Sequence, residues 1–133
     1  MTLDLNQIIR AYVILLIILF FLDAIWLGLT NKSFYQKELG QLFAKKMRII
    51  PAVLFYLIYP LGISIFVISP NLQTSNLLQV GLLGALFGFV AYGTYDFTNL
   101  ATINNWPIKV TIVDLIWGSF LTAIASIICI SII

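Results

Sequence analysis

Histidine is missing from this chain, cysteine occurs once, and acidic residues number only five. Without histidine the commonest metal ligand and the usual general base at neutral pH are both gone, so zinc sites of the His/Cys type are excluded. The lone Cys129 rules out a disulfide within one chain and reads as a small packing residue near the end of the last apolar run. Charged residues make up 9% of the sequence, against about 25% in soluble globular domains. A net charge of +2 with no basic stripe interleaved with aromatics argues against nucleic acid as a partner.

What the chain has instead is apolar length. Hydrophobic residues account for 62% of its 133 positions, and a bilayer-spanning helix needs roughly 20 mostly apolar residues. Four such spans fit, over Ala11 to Leu29, Pro51 to Ser69, Leu77 to Thr98 and Pro107 to Ile130, with no room for a soluble domain. Residues 1–133 are therefore expected to form a single four-span, all-α membrane domain. The first span carries Asp23 and Trp26 near its end with no small-residue cleavage site after it, so it is expected to be retained and not removed as a signal peptide.

The connection from Thr30 to Ile50 is the only long one. Phe34, Leu39, Leu42, Phe43, Met47 and Ile50 fall along one helical face, Lys32, Lys37, Lys45, Lys46 and Arg48 supply charge, and Ser33 with Gln36 is a capping-box start. That pattern predicts an amphipathic helix lying in the interface between helices 1 and 2; an ordinary connecting helix packed on the bundle is compatible with it. Five of the seven cations sit there, and none lies between Pro70 and Asn76. The positive-inside rule then puts the first and third loops in the cytoplasm and both termini outside, against a weak contrary signal from Arg10.

Three of the five acids lie inside apolar runs: Asp23, Asp96 and Asp114. A carboxylate in hydrocarbon costs several kcal/mol, and such residues usually face a bundle interior, a partner or a watery cavity. With the predicted topology all three fall within about 10 Å of the cytoplasmic boundary at 1.5 Å per residue. Two carry the same local phrase, Asp-x-Ile-Trp, at Asp23 to Trp26 and Asp114 to Trp117. Each Asp and Trp share a helix face. Tyr56 and Tyr59 of span two sit at matching depth, and span three brings Tyr92, Asp96 and Asn99. The expected site is thus a half-buried pocket lined by Asp23, Trp26, Tyr56, Tyr59, Tyr92, Asp96, Asn99, Asp114 and Trp117. Pro60 is expected to kink span two and free the carbonyl of Tyr56 near the acids; a packing kink without a role is the plainer account.

Gly81, Gly84, Gly88 and Ala91 recur at helical spacing on span three, and Gly118, Thr122, Ala125 and Cys129 on span four. Small stripes let helices approach closely in membranes. Packing within the chain is the plainer reading, and a homodimer that helps seclude the acids is the other. The shared Asp-x-Ile-Trp on helices of opposite direction hints at an inverted repeat, although four residues also arise by convergence. Trp106, in the loop before span four, suits the aromatic belt.

The strings FFLDAIWLG, PAVLFYLIYPLG, YGTYDFTNLATINNWP and DLIWG together resemble a family of predicted bacterial membrane proteins, domain of unknown function 2177, over nearly the whole chain. The resemblance implies four spans and the bacterial inner membrane. It supplies no activity, cofactor or site residue.

Function must therefore come from the acids. Carboxylates beside tryptophan and tyrosine faces suit a small cation or cationic amphiphile, bound or transported, through charge and cation–π attraction. A lipid-modifying enzyme is an alternative, using the acids as an acid/base pair or as oxygen ligands for Mg²⁺ or Mn²⁺. A third reading is structural: the aspartates accept hydrogen bonds across helices and fix the bundle, each bond worth only ~0.6 kcal/mol on average in a membrane. The lipid bilayer is the one partner common to all three.

Overall fold

The computed structural model describes residues 4–133, and every regular element among them is helical. Helix α1 (Leu5–Thr30) starts on Asp4, whose side chain accepts hydrogen bonds from the backbone N–H groups of Asn6 and Gln7 and so satisfies two of the donors a helix start leaves free. It does not end at Thr30. A π-helical turn (Asn31–Tyr35), the four-residue α2 (Gln36–Leu39) and a 3₁₀ turn (Gly40–Leu42) prolong it. Helix α3 (Ile49–Ile63) likewise runs on through a π-helical turn (Ser64–Ile68) and a 3₁₀ turn (Ser69–Asn71). Helix α4 (Leu77–Thr102) is capped by Asn76, and α5 (Ile108–Ile132) follows Pro107. Four stretches are long and apolar enough to cross a membrane: Leu5–Leu42, Ile49–Asn71, Leu77–Thr102 and Ile108–Ile132.

No separate amphipathic helix forms between helices 1 and 2. Ser33 does not start a helix: its hydroxyl donates back to the carbonyl of Leu29, as the Thr30 hydroxyl does to Trp26. Both are bonds to the carbonyl four residues back, which a hydroxyl makes inside a continuing helix and not at a helix start. Gly40, at φ +55°, then ends regular α-helix, a conformation that glycine adopts without a steric penalty. The cationic stretch Phe43–Arg48 is non-helical.

The α4–α5 pair is the most extensive contact in the molecule. The two stripes of small residues face each other there. A Cβ on Gly84 would meet Ser126 and the Thr122 carbonyl, and one on Gly88 would lie 2.1 Å from the Gly118 carbonyl oxygen. The Gly84-x-x-x-Gly88 seam is therefore spent inside the chain. Helix α1 rests on α3 and α5 through Ala11, Leu15 and Leu19, which join Ile63, Val67, Val80, Leu121, Ala125 and Cys129 in the core. Cys129 is buried with its thiol toward the Ala11 carbonyl, as expected of a packing residue. Large apolar side chains such as Val13, Ile17, Phe21, Leu54, Ile58, Val90 and Ile116 cover the outside.

Pro60 sits inside α3 without ending it. The cross-helix donor in this region, the Tyr12 hydroxyl, bonds the carbonyl of Leu57 at 2.7 Å and not that of Tyr56. Two contacts fix which ends lie together. Arg10 donates to the Ile133 carbonyl at 3.2 Å, and Lys109 lies 3.9 Å from Glu38. The described ends of the chain thus share one end of the bundle, and the first and third loops share the other.

Candidate functional site

Asp23 continues the buried stripe of α1, one helical turn beyond Leu19. Its two carboxylate oxygens are bonded from different helices. The Tyr56 hydroxyl of α3 donates a very short hydrogen bond to Oδ2, and the Trp117 indole of α5 donates to Oδ1 at 3.1 Å. One acid thereby ties three helices in the half of the bundle nearer the first and third loops.

Asp114 is reached from the first connection. The π-helical turn brings Tyr35 inward, and its hydroxyl donates to Asp114 Oδ1 at 2.5 Å. That same hydroxyl accepts a bond from the Trp26 indole at 3.3 Å. Trp26 and Trp117 stack with ring centroids 4.5 Å apart and planes 7° from parallel. The two Asp-x-Ile-Trp phrases therefore interlock. The tryptophan of the second serves the aspartate of the first directly, and the tryptophan of the first serves the aspartate of the second through Tyr35.

Two of the cavities that border this arrangement reach its acids. One, of about 310 Å³, is lined by Asp23, Asp114, the tryptophan pair, Tyr35 and Tyr92, and by Leu27, Asn31, Phe43 and Met47. The other, of about 410 Å³, is lined by Phe55 and Tyr59 of α3, Ala91, Tyr92 and Tyr95 of α4, and Asp114 of α5. Asp114 and Tyr92 belong to both and form the partition between them.

The expected residues divide accordingly. Asp23, Trp26, Tyr92, Asp114 and Trp117 converge on the smaller cavity, and Tyr59 lines the larger one. Tyr59 also hydrogen-bonds Thr122 at 2.6 Å. Tyr56 holds Asp23 but lines neither cavity. Asp96 lies behind Asp114, next to Trp106, and is fully buried; both its oxygens are without a hydrogen-bond donor. Asn99 lines neither cavity and neighbours Tyr95. The single three-acid chamber is thus replaced by a two-acid cavity with the third carboxyl behind its wall. Among the described residues no three acids or cysteines gather closely enough to hold a metal ion. The indole of Trp106 bonds Thr111 at 3.1 Å and its ring packs edge-on against Tyr95.

Tyr35, Tyr95, Phe55, Phe43 and Met47 were not foreseen as lining residues. For Tyr35 a signal exists in the sequence. A half-buried indole N–H and a nearby carboxylate both need partners, and Tyr35 is the one tyrosine between Thr30 and Ile50. The others become lining residues only through tertiary placement, Phe55 and Tyr95 on helices and Phe43 and Met47 on the non-helical stretch.

Comparison with curated proteins and with solved structures returns no match. A family model does match, over residues 8–131, which takes in all but the outermost residues of the four apolar helices and every residue of the acid and aromatic cluster. The chain belongs to the family described as predicted membrane protein (DUF2177).

Proposed function

We propose that the protein binds a small organic cation or cationic amphiphile in the cavity between Asp23 and Asp114, in the cytoplasmic half of a bacterial inner membrane. The observation that carries this reading is the shared lining: two carboxylates and a stacked tryptophan pair bound one space of about 310 Å³. Carboxylates provide the charge and the indole and phenol faces provide cation–π attraction, which strengthens as the site is desolvated. No lysine or arginine lines the cavity. The basic residues of the first connection support a cytoplasmic location for this end, with the termini outside, and Phe43–Arg48 is then the segment that meets the headgroups.

A structural reading draws support from a different observation: both acids already accept hydrogen bonds from tyrosine or tryptophan. One experiment separates the two. The full chain, in nanodiscs, is titrated with a fluorescent lipophilic cation and with an uncharged dye of the same shape, in parallel with thermal unfolding. Binding predicts saturable uptake of the cation alone, reduced at least tenfold in Asp23→Asn and Asp114→Asn variants that still unfold cooperatively. Equal uptake of both dyes, unchanged in the variants, removes the binding reading and leaves the aspartates as fasteners.

A further inference from the structure

The larger cavity is what names the ligand class. Along Ile49–Ile63 the backbone of α3 stands apart from α4, and the close packing between them comes through the continuation Ser64–Ile68. Beyond that contact the helices are bridged by rings. Tyr59 meets Phe87 at 5.7 Å and Tyr92 edge-on at 6.0 Å. Beside these rings a cleft of about 410 Å³ remains between the two helices, walled by Phe55 and Tyr59 on α3 and by Ala91, Tyr92 and Tyr95 on α4. Its neighbours on both helices are exposed apolar residues, Leu54 and Ile58 on α3 and Val90 on α4. Such a surface belongs against lipid tails, so the cleft opens sideways toward the hydrocarbon. Asp114 is the only charged residue lining it.

We infer that this cleft is a lateral doorway, through which a single-chain cationic amphiphile passes from the bilayer to set its head on Asp114 and keep its tail between α3 and α4. The inference rests on the binding reading above and narrows its ligand to a molecule already dissolved in the membrane. The chemistry of the lining selects by the head. A hydrocarbon tail gains little by leaving lipid for an apolar cleft, since lipid is equally apolar. The positive head gains a counter-charge and the tyrosine faces of Tyr59, Tyr92 and Tyr95. Asp114 and Tyr92 also line the tryptophan cavity, so a head that arrives from the lipid side is already at the wall of the second space. A strongly hydrated cation has no such path, because the mouth is apolar.

Photolabelling tests this. The full chain in phosphatidylcholine nanodiscs is incubated with an alkyltrimethylammonium carrying a diazirine in the tail close to the head, and with the corresponding alcohol, then irradiated and mapped by peptide mass spectrometry. The expected result is labelling of the segments holding Phe55, Ala91 and Tyr95, suppressed at least tenfold by excess unlabelled tetradecyltrimethylammonium. The same labelling should be lost with the alcohol and in Asp114→Asn. Saturable label confined to the segment holding Phe43 and Met47 overturns the doorway and leaves the binding reading standing. Label spread over the outer faces around Ile17, Ile116 and Phe120, alike for ammonium and alcohol, means that ordinary lipid fills the cleft and overturns the doorway. If the fluorescent cation also shows no saturable uptake, both readings fall.

Discussion

Replacing Gly118 with alanine tests whether the α4–α5 seam and the cavity wall are one structure. A Cβ built on Gly118 lies 2.3 Å from Tyr92 Cγ, 2.4 Å from Cδ1 and 2.8 Å from Cδ2. The nearest of these falls short of ordinary contact, 3.4 Å, by about 1.1 Å. Cγ is the root of the ring, so a terminal rotation does not relieve the clash. Either χ1 of Tyr92 leaves its well, at about 0.5–1.5 kcal/mol, or α5 moves off α4, and overpacking of that kind typically costs 1–3 kcal/mol. Separating the helices also loosens the nearby approach of Gly88 to the Gly118 carbonyl, so the expected loss is about 2 kcal/mol. Gly28 is the control. A Cβ there meets nothing within 4 Å, and Gly28→Ala should be neutral or stabilise by up to about 1 kcal/mol through helix propensity. Denaturant unfolding in a fixed detergent reads the stabilities, and tryptophan fluorescence reads the site, because Trp117 adjoins the mutated position. If Gly118→Ala and Gly28→Ala unfold alike with unaltered emission, the seam and the cavity wall are separate structures. If Gly88→Ala instead changes the oligomeric state and leaves monomer stability alone, the seam joins copies and not helices of one chain.

Two further outcomes concern the acids. A double-mutant cycle on Asp23→Asn and Trp117→Phe should give a coupling energy of about 0.6 kcal/mol, the average for interhelical hydrogen bonds in a membrane, and at most about 1.7 kcal/mol, and additive effects would mean that the 3.1 Å bond contributes nothing to stability. Asp96→Asn should unfold no earlier than the parent, because both oxygens of the buried carboxyl lack a donor while an amide N–H₂ beside Asp114 gains an acceptor; a melting temperature lowered as far as in Asp23→Asn would show that Asp96 has partners of its own.

The spans were legible because apolar length is a one-dimensional property. A run such as AYVILLIILFFLDAIWLGL declares its helix without reference to any neighbour. The convergence of Asp23, Trp26, Asp114 and Trp117 was legible for a related reason: equal distance from a shared boundary fixes depth, and the Asp-to-Trp spacing of three fixes the face. What failed depended on choices between competing local bonds. In the first connection the apolar spacing along one helical face favours an amphipathic helix. The hydroxyls of Thr30 and Ser33 bond backward into α1, and Tyr35 finds an acceptor in Asp114 far along the sequence. Asp96 departs from expectation for another reason. Depth and helix face set it level with the others and beside Asp114, but it is fully buried there and lines neither cavity.

The two Asp-x-Ile-Trp phrases show why a short motif repeats in a molecule this small. On one helix, Asp and Trp three residues apart point the same way, but the carboxylate and the indole N–H then compete for the same inward space. When α1 and α5 lie side by side and run in opposite directions, each tryptophan comes level with the other helix's aspartate. Crossing the bonds satisfies both acids and brings the indoles face to face, at 4.5 Å and 7°. The exchange is not symmetric. Trp117 reaches Asp23 directly, whereas Trp26 is 3.3 Å from Tyr35, which in turn holds Asp114. That inserted hydroxyl comes from the π-helical turn that prolongs α1, and it leaves Asp114 held from one short turn while Asp23 is bonded from two other spans. A ligand that competes for one of the two acids therefore meets less resistance at Asp114. Displacing Tyr35 requires only the turn Asn31–Tyr35 to yield, and displacing Tyr56 or Trp117 requires a helix to do so. Tyr35→Phe, which frees an oxygen of Asp114 without moving a span, should accordingly tighten the binding of a lipophilic cation, whereas Tyr56→Phe should lower stability first; the reverse order, read by dye titration and unfolding of the same two variants, would place the binding acid at Asp23.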